Sequence, residues 1–94
     1  MTPIESIYEI KSAVRDLLVY LHSKDKIVSN KAQAKYLKLI DRFFRENQNY
    51  IQPEQRGDCL HDCDYFMGLM QSAIEHYYLE TERNDANDSN ATGL

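Results

Sequence analysis

Ile7, Ile10, Val14, Leu17 and Leu21 follow one another at alternating steps of three and four, and the same period returns twice more along the chain. Such a spacing keeps apolar side chains on one face of an α-helix but scatters them over both faces of a strand, so it selects helices. Only three glycines and two prolines interrupt it, too few for the frequent turns of a sandwich or barrel. Ninety-four residues leave room for one domain around one core. The spacing therefore predicts an all-α fold, a small antiparallel bundle of three helices.

Local signals set the expected boundaries. Thr2-Pro3-Ile4-Glu5 offers an N-cap, a proline at the first helical position and a glutamate three residues after the cap, so helix one is expected over about 3–22. Ile4 and Leu18 widen its seam. Residues 23–28 read as a connection and Ser29 as the next cap, opening helix two over about 30–48. There Ala32, Tyr36, Leu37, Leu39, Ile40, Phe43 and Phe44 are expected to turn inward. Asn47, Asn49, Pro53 and Gly57 break the period. Helix three is expected over about 58–82, capped by Asp58, with Pro53 as an alternative start. Cys59, Cys63, Phe66, Met67, Met70, Ala73, Ile74 and Tyr77 share its apolar face. The bundle would thus occupy 1–82. Residues 83–94 are dominated by Asn, Asp, Ser, Thr and Gly, a composition that cannot offset its ordering entropy, and are expected to form a disordered acidic tail.

Charge is distributed unevenly. Seven of the eleven basic residues lie between 24 and 46 against three acidic ones, while 47–94 carries nine acidic and two basic residues. Lys31, Lys35, Lys38, Arg42 and Arg45 fall within an arc of roughly 80° on helix two. An acidic protein surface and a phosphate backbone both fit such a stripe, and a merely solvated face is the plain alternative. The chain as a whole is acidic, with a pI near 5.2, and Val28 to Leu39 lacks the glycine turn and polar reading helix of a helix-turn-helix. A protein partner with an acidic surface is therefore expected ahead of nucleic acid.

Helix three adds a second feature. Tyr65, Leu69 and His76, with Leu79 at the margin, make an apolar stripe away from its main face. A surface helix that is apolar on two sides calls for cover by a partner or a second copy, so a homo-oligomer is expected. The competing account is a splayed bundle with this helix at its centre.

Cys59, His61 and Cys63 carry ligand types that zinc prefers. On one continuous helix, however, His61 would point about 160° away from Cys63, and a disulfide four residues apart would be strained. The two thiols read as core fillers, with a metal or thiol sensor as a lesser alternative. No acid–base pair, nucleophile set or glycine-rich phosphate loop is present, so no catalytic activity, metal or cofactor is expected. Neither a targeting segment nor an apolar run of membrane-spanning length is visible, which predicts a cytoplasmic chain without membrane contact. In size and style, though in no motif, the chain resembles bacterial and phage accessory proteins that inhibit or adapt a larger protein by covering its surface.

Overall fold

A computed structural model describes the backbone of residues 2–92 and the side chains of residues 2–82. The described chain is all-α, but with four helices in place of three: α1 (Pro3–Leu21), α2 (Lys26–Glu46), α3 (Gln55–His61) and α4 (Cys63–Thr92). α1 begins where its capping box requires. The Thr2 hydroxyl accepts from the Glu5 N–H at 3.2 Å, and the Glu5 carboxylate accepts from the Thr2 N–H at 3.1 Å. Of its seam, Ile7, Ile10 and Val14 are fully inaccessible, while Leu17 and Leu21 are partly buried.

α2 starts at Lys26, earlier than Ser29 would place it. Asp25 is the cap, its carboxylate accepting from the N–H groups of Ile27 (2.9 Å) and Val28 (3.4 Å). Ser29 lies inside the first turn, where its hydroxyl donates to the Leu21 carbonyl and fastens α2 to the end of α1. Inward placement holds for Ala32, Tyr36, Ile40 and Phe43, and in part for Leu39 and Phe44. Leu37 departs from it and is 39% exposed.

The expected third helix is two helices joined at one residue. Asp62 adopts an extended conformation (φ −143°, ψ 102°) and closes α3 by donating its N–H to the Asp58 carbonyl. Its carboxylate accepts from the Tyr65 N–H at 3.1 Å and its carbonyl from the Phe66 N–H, so the same residue opens α4. Asp58 is accordingly no cap but part of the first turn of α3, which starts between the two expected positions. The apolar period runs unbroken through this joint because Cys59, Phe66, Met70, Ala73 and Ile74 are all buried on either side of it. The backbone of α4 is helical as far as Thr92. The disorder expected for 83–94 falls on residues whose side chains lie outside the described set.

α2 returns along α1: Ser6 donates to Glu46 at one end of the pair, and Ser29 bonds Leu21 at the other. α4 closes the core. Phe66 is fully buried with its ring edge-on to Tyr36 (5.8 Å, 72°) and Phe43 (5.5 Å, 73°). The Tyr36 hydroxyl, buried with its ring, donates to the Cys59 carbonyl and so attaches α3 to α2. Burial, with Cys63 close by, pushes the Tyr36 phenol far above its ordinary pKa. Ile51, on the connection between α2 and α3, completes the core.

Two substitutions test this account in urea unfolding. Phe66→Ala should cost on the order of 3–5 kcal/mol, because it removes a fully buried ring and two edge contacts together. Asp25→Ala should cost about 1 kcal/mol through loss of the cap, with the helical content of α1 and α4 unchanged.

Candidate functional site

The basic stripe divides into two halves with different surroundings. Lys31, Lys35 and Lys38 are exposed and make no ion pair among the described residues. They stand along one wall of a hollow of about 690 Å³ between α1 and α2. Its floor is apolar, formed by Leu17 on α1 and Val28 and Leu39 on α2, with Ala13 and Ala32 between them. The two alanines make the hollow: a larger side chain at either position would fill the space where the helices meet. Asp16 and Tyr20 form the α1 wall, and Tyr20 is 54% exposed.

Further along α2, Arg42 is drawn into the fold. Its guanidinium pairs with Glu9 at 2.9 Å and Glu46 at 3.2 Å and donates to the Ser6 hydroxyl at 3.1 Å. The bond to Glu9, with Glu46 assisting, raises the Arg42 pKa. Glu46 is held below its ordinary value, chiefly by the Ser6 hydroxyl and then by Arg42. This network clamps α2 onto the first turns of α1. Arg45 is exposed beside it.

The second stripe finds part of its cover within the chain. Tyr65 and Leu69 are half-buried against the core, and Gln55 of α3 donates to the Tyr65 hydroxyl at 3.1 Å. His76 is exposed, with its Nε2 3.4 Å from a Glu80 carboxylate oxygen, and lies edge-on to Tyr50, ring centroids 4.7 Å apart. Tyr50 also rests on Tyr77 and donates to Glu80 at 2.8 Å, which pushes its phenol up to about 12. α3 and the preceding connection thus lie over part of this stripe on α4. Leu79 and Tyr78, further along, stay 59% and 51% exposed.

The thiols are both free. Cys59 is fully buried, and burial, with Asp58 adding, raises its thiol to about 11, away from the reactive thiolate form. The joint at Asp62 changes the geometry assumed for a continuous helix: His61 and Cys63 line one hollow of about 490 Å³ together with His22 and Tyr36. Among the described residues, no group of three or more His, Cys, Asp or Glu is arranged to hold a metal ion. No helix among the described residues is long and apolar enough to cross a membrane.

No family model matches the sequence, and no curated protein or solved structure is significantly similar to it. The hollow itself is not legible in the sequence, where Leu17 reads as part of the buried seam, Tyr20 as one of several tyrosines suited to an interface, and Ala13 carries no signal of its own. A signal was present in the two alanines, small residues at positions where two amphipathic helices meet.

The clamp makes a pH prediction. A carboxylate whose folded pKa is depressed adds stability above its ordinary value, near 4.5 for Glu46, and loses it as pH falls through the lowered folded value. Thermal unfolding followed from pH 6 downward should show wild type losing stability below that ordinary value. Glu46→Gln should be less stable at pH 6 and show a flatter acid limb.

Proposed function

We propose that this chain is a non-enzymatic protein–protein interaction module that covers an acidic surface of a larger protein, acting as an accessory inhibitor or adaptor. One observation carries the reading: three exposed lysines that make no ion pair among the described residues stand beside an apolar hollow. An apolar floor supplies affinity by excluding water, and unpaired charge on its rim supplies steering and orientation. Arg42 is spoken for by Glu9 and Glu46, so Lys31, Lys35 and Lys38 form the docking edge, with Arg45 at its far end. Nucleic acid is the weaker reading, since Leu17 and Leu39 offer nothing to a phosphate and Asp16 repels one from the opposite wall. A thiol sensor is weaker still, because burial keeps Cys59 protonated.

The reversal Lys31→Glu, Lys35→Glu and Lys38→Glu tests the proposal. These side chains lie on the surface, so circular dichroism and melting temperature should change little. In pull-downs from native lysate with tagged protein, the wild type should retain acidic proteins that the triple variant loses. With a partner so identified, association should slow several-fold in the variant and lose most of its salt dependence. Undiminished capture by the variant would show the lysines to be solvated only, and salt-dependent retention of random-sequence DNA by the wild type alone would transfer the site to nucleic acid.

A further inference from the structure

All the residues that line the hollow belong to α1 and α2, and the rest of the fold stands behind it. Lys11, which bonds Gln71 of α4, lies roughly 180° around α1 from Tyr20 on the wall of the hollow, so α4 packs on the far side. Leu17, Val28 and Leu39 are left half-buried on the floor. Resting on the reading of the three lysines as a docking edge, we infer that the hollow receives a single amphipathic α-helix of the partner protein. That helix is apolar below, acidic along the flank that faces α2, and free of acid along the flank that faces α1.

Spacing requires the acidic flank. Lys31, Lys35 and Lys38 recur at steps of four and three, which sets the outer two about 10.5 Å apart along α2. A helix laid beside α2 repeats its own side chains at the same steps, so carboxylates along one flank meet the ammonium groups one per turn. The opposite wall sets the other flank. The Ser6–Glu46 and Ser29–Leu21 bonds fix how α1 and α2 run past each other, and counting between them puts Asp16 roughly level with Lys35. A carboxylate on that side of the occupant would meet Asp16, whereas a cationic side chain would pair with it. Charge is segregated across the mouth of the hollow, and the occupant is segregated in the opposite sense.

Other occupants use less of the site. A volume of about 690 Å³ would admit a drug-sized molecule, but one anionic head cannot reach lysines spread over three turns. An extended peptide would leave amides unpaired over an apolar floor, between helices whose own backbone groups are internally bonded. A second copy presenting the same face would set two rows of lysines against each other with only Asp16 to offset them. A helix bonds its own backbone and lays an apolar stripe on Leu17, Val28 and Leu39, while Ala13 and Ala32 leave room for its side chains between the walls.

Fluorescence anisotropy of the full chain with a labelled synthetic helix of about four turns tests the inference. This peptide carries leucine on one face, three glutamates on one flank at steps of four and three, and lysines on the other flank. A control of the same composition mixes both charges on each flank. The first peptide should bind roughly tenfold tighter than the control or better. Lys31→Glu, Lys35→Glu and Lys38→Glu together should erase that difference, and a peptide with lysines on both flanks should bind this triple variant and not the wild type. Ala13→Leu fills the hollow and leaves the lysines in place; with helical content unchanged, it should weaken the first peptide by roughly tenfold or more. No saturable binding of that peptide up to about 1 mM, equal binding of the control, or binding indifferent to Ala13→Leu would overturn the inference. So would a hollow that saturates with dodecanoate in place of the peptide, or a wild-type dimer in sedimentation that Ala13→Leu dissociates. Capture of acidic proteins from lysate that the triple variant loses but Ala13→Leu keeps would remove the helix and leave the proposed function standing. Peptide binding as expected, with no capture of acidic proteins by the wild type, would have the opposite meaning.

Discussion

The ring of Phe66 holds the architecture together. It sits in the first turn of α4, directly after the extended residue that separates α3 from α4, and meets α2 through Tyr36 and Phe43. Edge-to-face contacts of this sort contribute about 0.5–1.5 kcal/mol each beyond the area they bury, an appreciable part of the net stability of a small domain. Tyr36 extends the same contact, because a buried hydroxyl needs a partner and finds one in the Cys59 carbonyl. One aromatic cluster thereby fixes α4 against α2 and attaches a short helix that has little means of standing alone. α1 adds the remaining apolar wall through Ile7, Ile10 and Val14.

The basic stripe shows how a single periodic pattern can place its side chains in two different settings. Arg42 presents a planar fork of donors and is drawn into a part-buried network with Ser6, Glu9 and Glu46. Lysines one, two and three turns away have compact, strongly hydrated charges and remain in solvent. Side-chain chemistry thus separates a clamp from a row of solvent-exposed lysines along one helix.

The sequence was most legible where the physics is local. The Thr2–Glu5 capping box and the Ile7–Val14 seam depend only on neighbours within a turn, and both stand where the pattern puts them. Ser29 and Asp25 are equally good caps in isolation, and the choice between them rests on Leu21, whose carbonyl claims the Ser29 hydroxyl. Asp62 hid for a related reason: the apolar period passes through it, and its extended backbone, with its carboxylate accepting from the Tyr65 N–H, shows that the helix stops and restarts there. The hollow was least legible, since it consists of side-chain volume missing at the meeting of two helices. Ala13 and Ala32 are far apart in sequence, and nothing in either helix alone says that they share one space.

The joint at Asp62 has a consequence for the timing of chemistry at Cys59. A helix of seven residues lies well below the length at which helices persist unaided in water, so α3 exists by virtue of Tyr36, the Arg56–Asp41 pair at 2.7 Å and its packing on α4. Since α4 restarts under its own cap, α3 can unravel as a separate unit while the helix beyond it stays wound. A thiol reagent would then reach Cys59 only in those intervals. Its rate of modification would be a clock for α3, ticking at the frequency of local opening rather than at the pace of the sulfur's own reactivity.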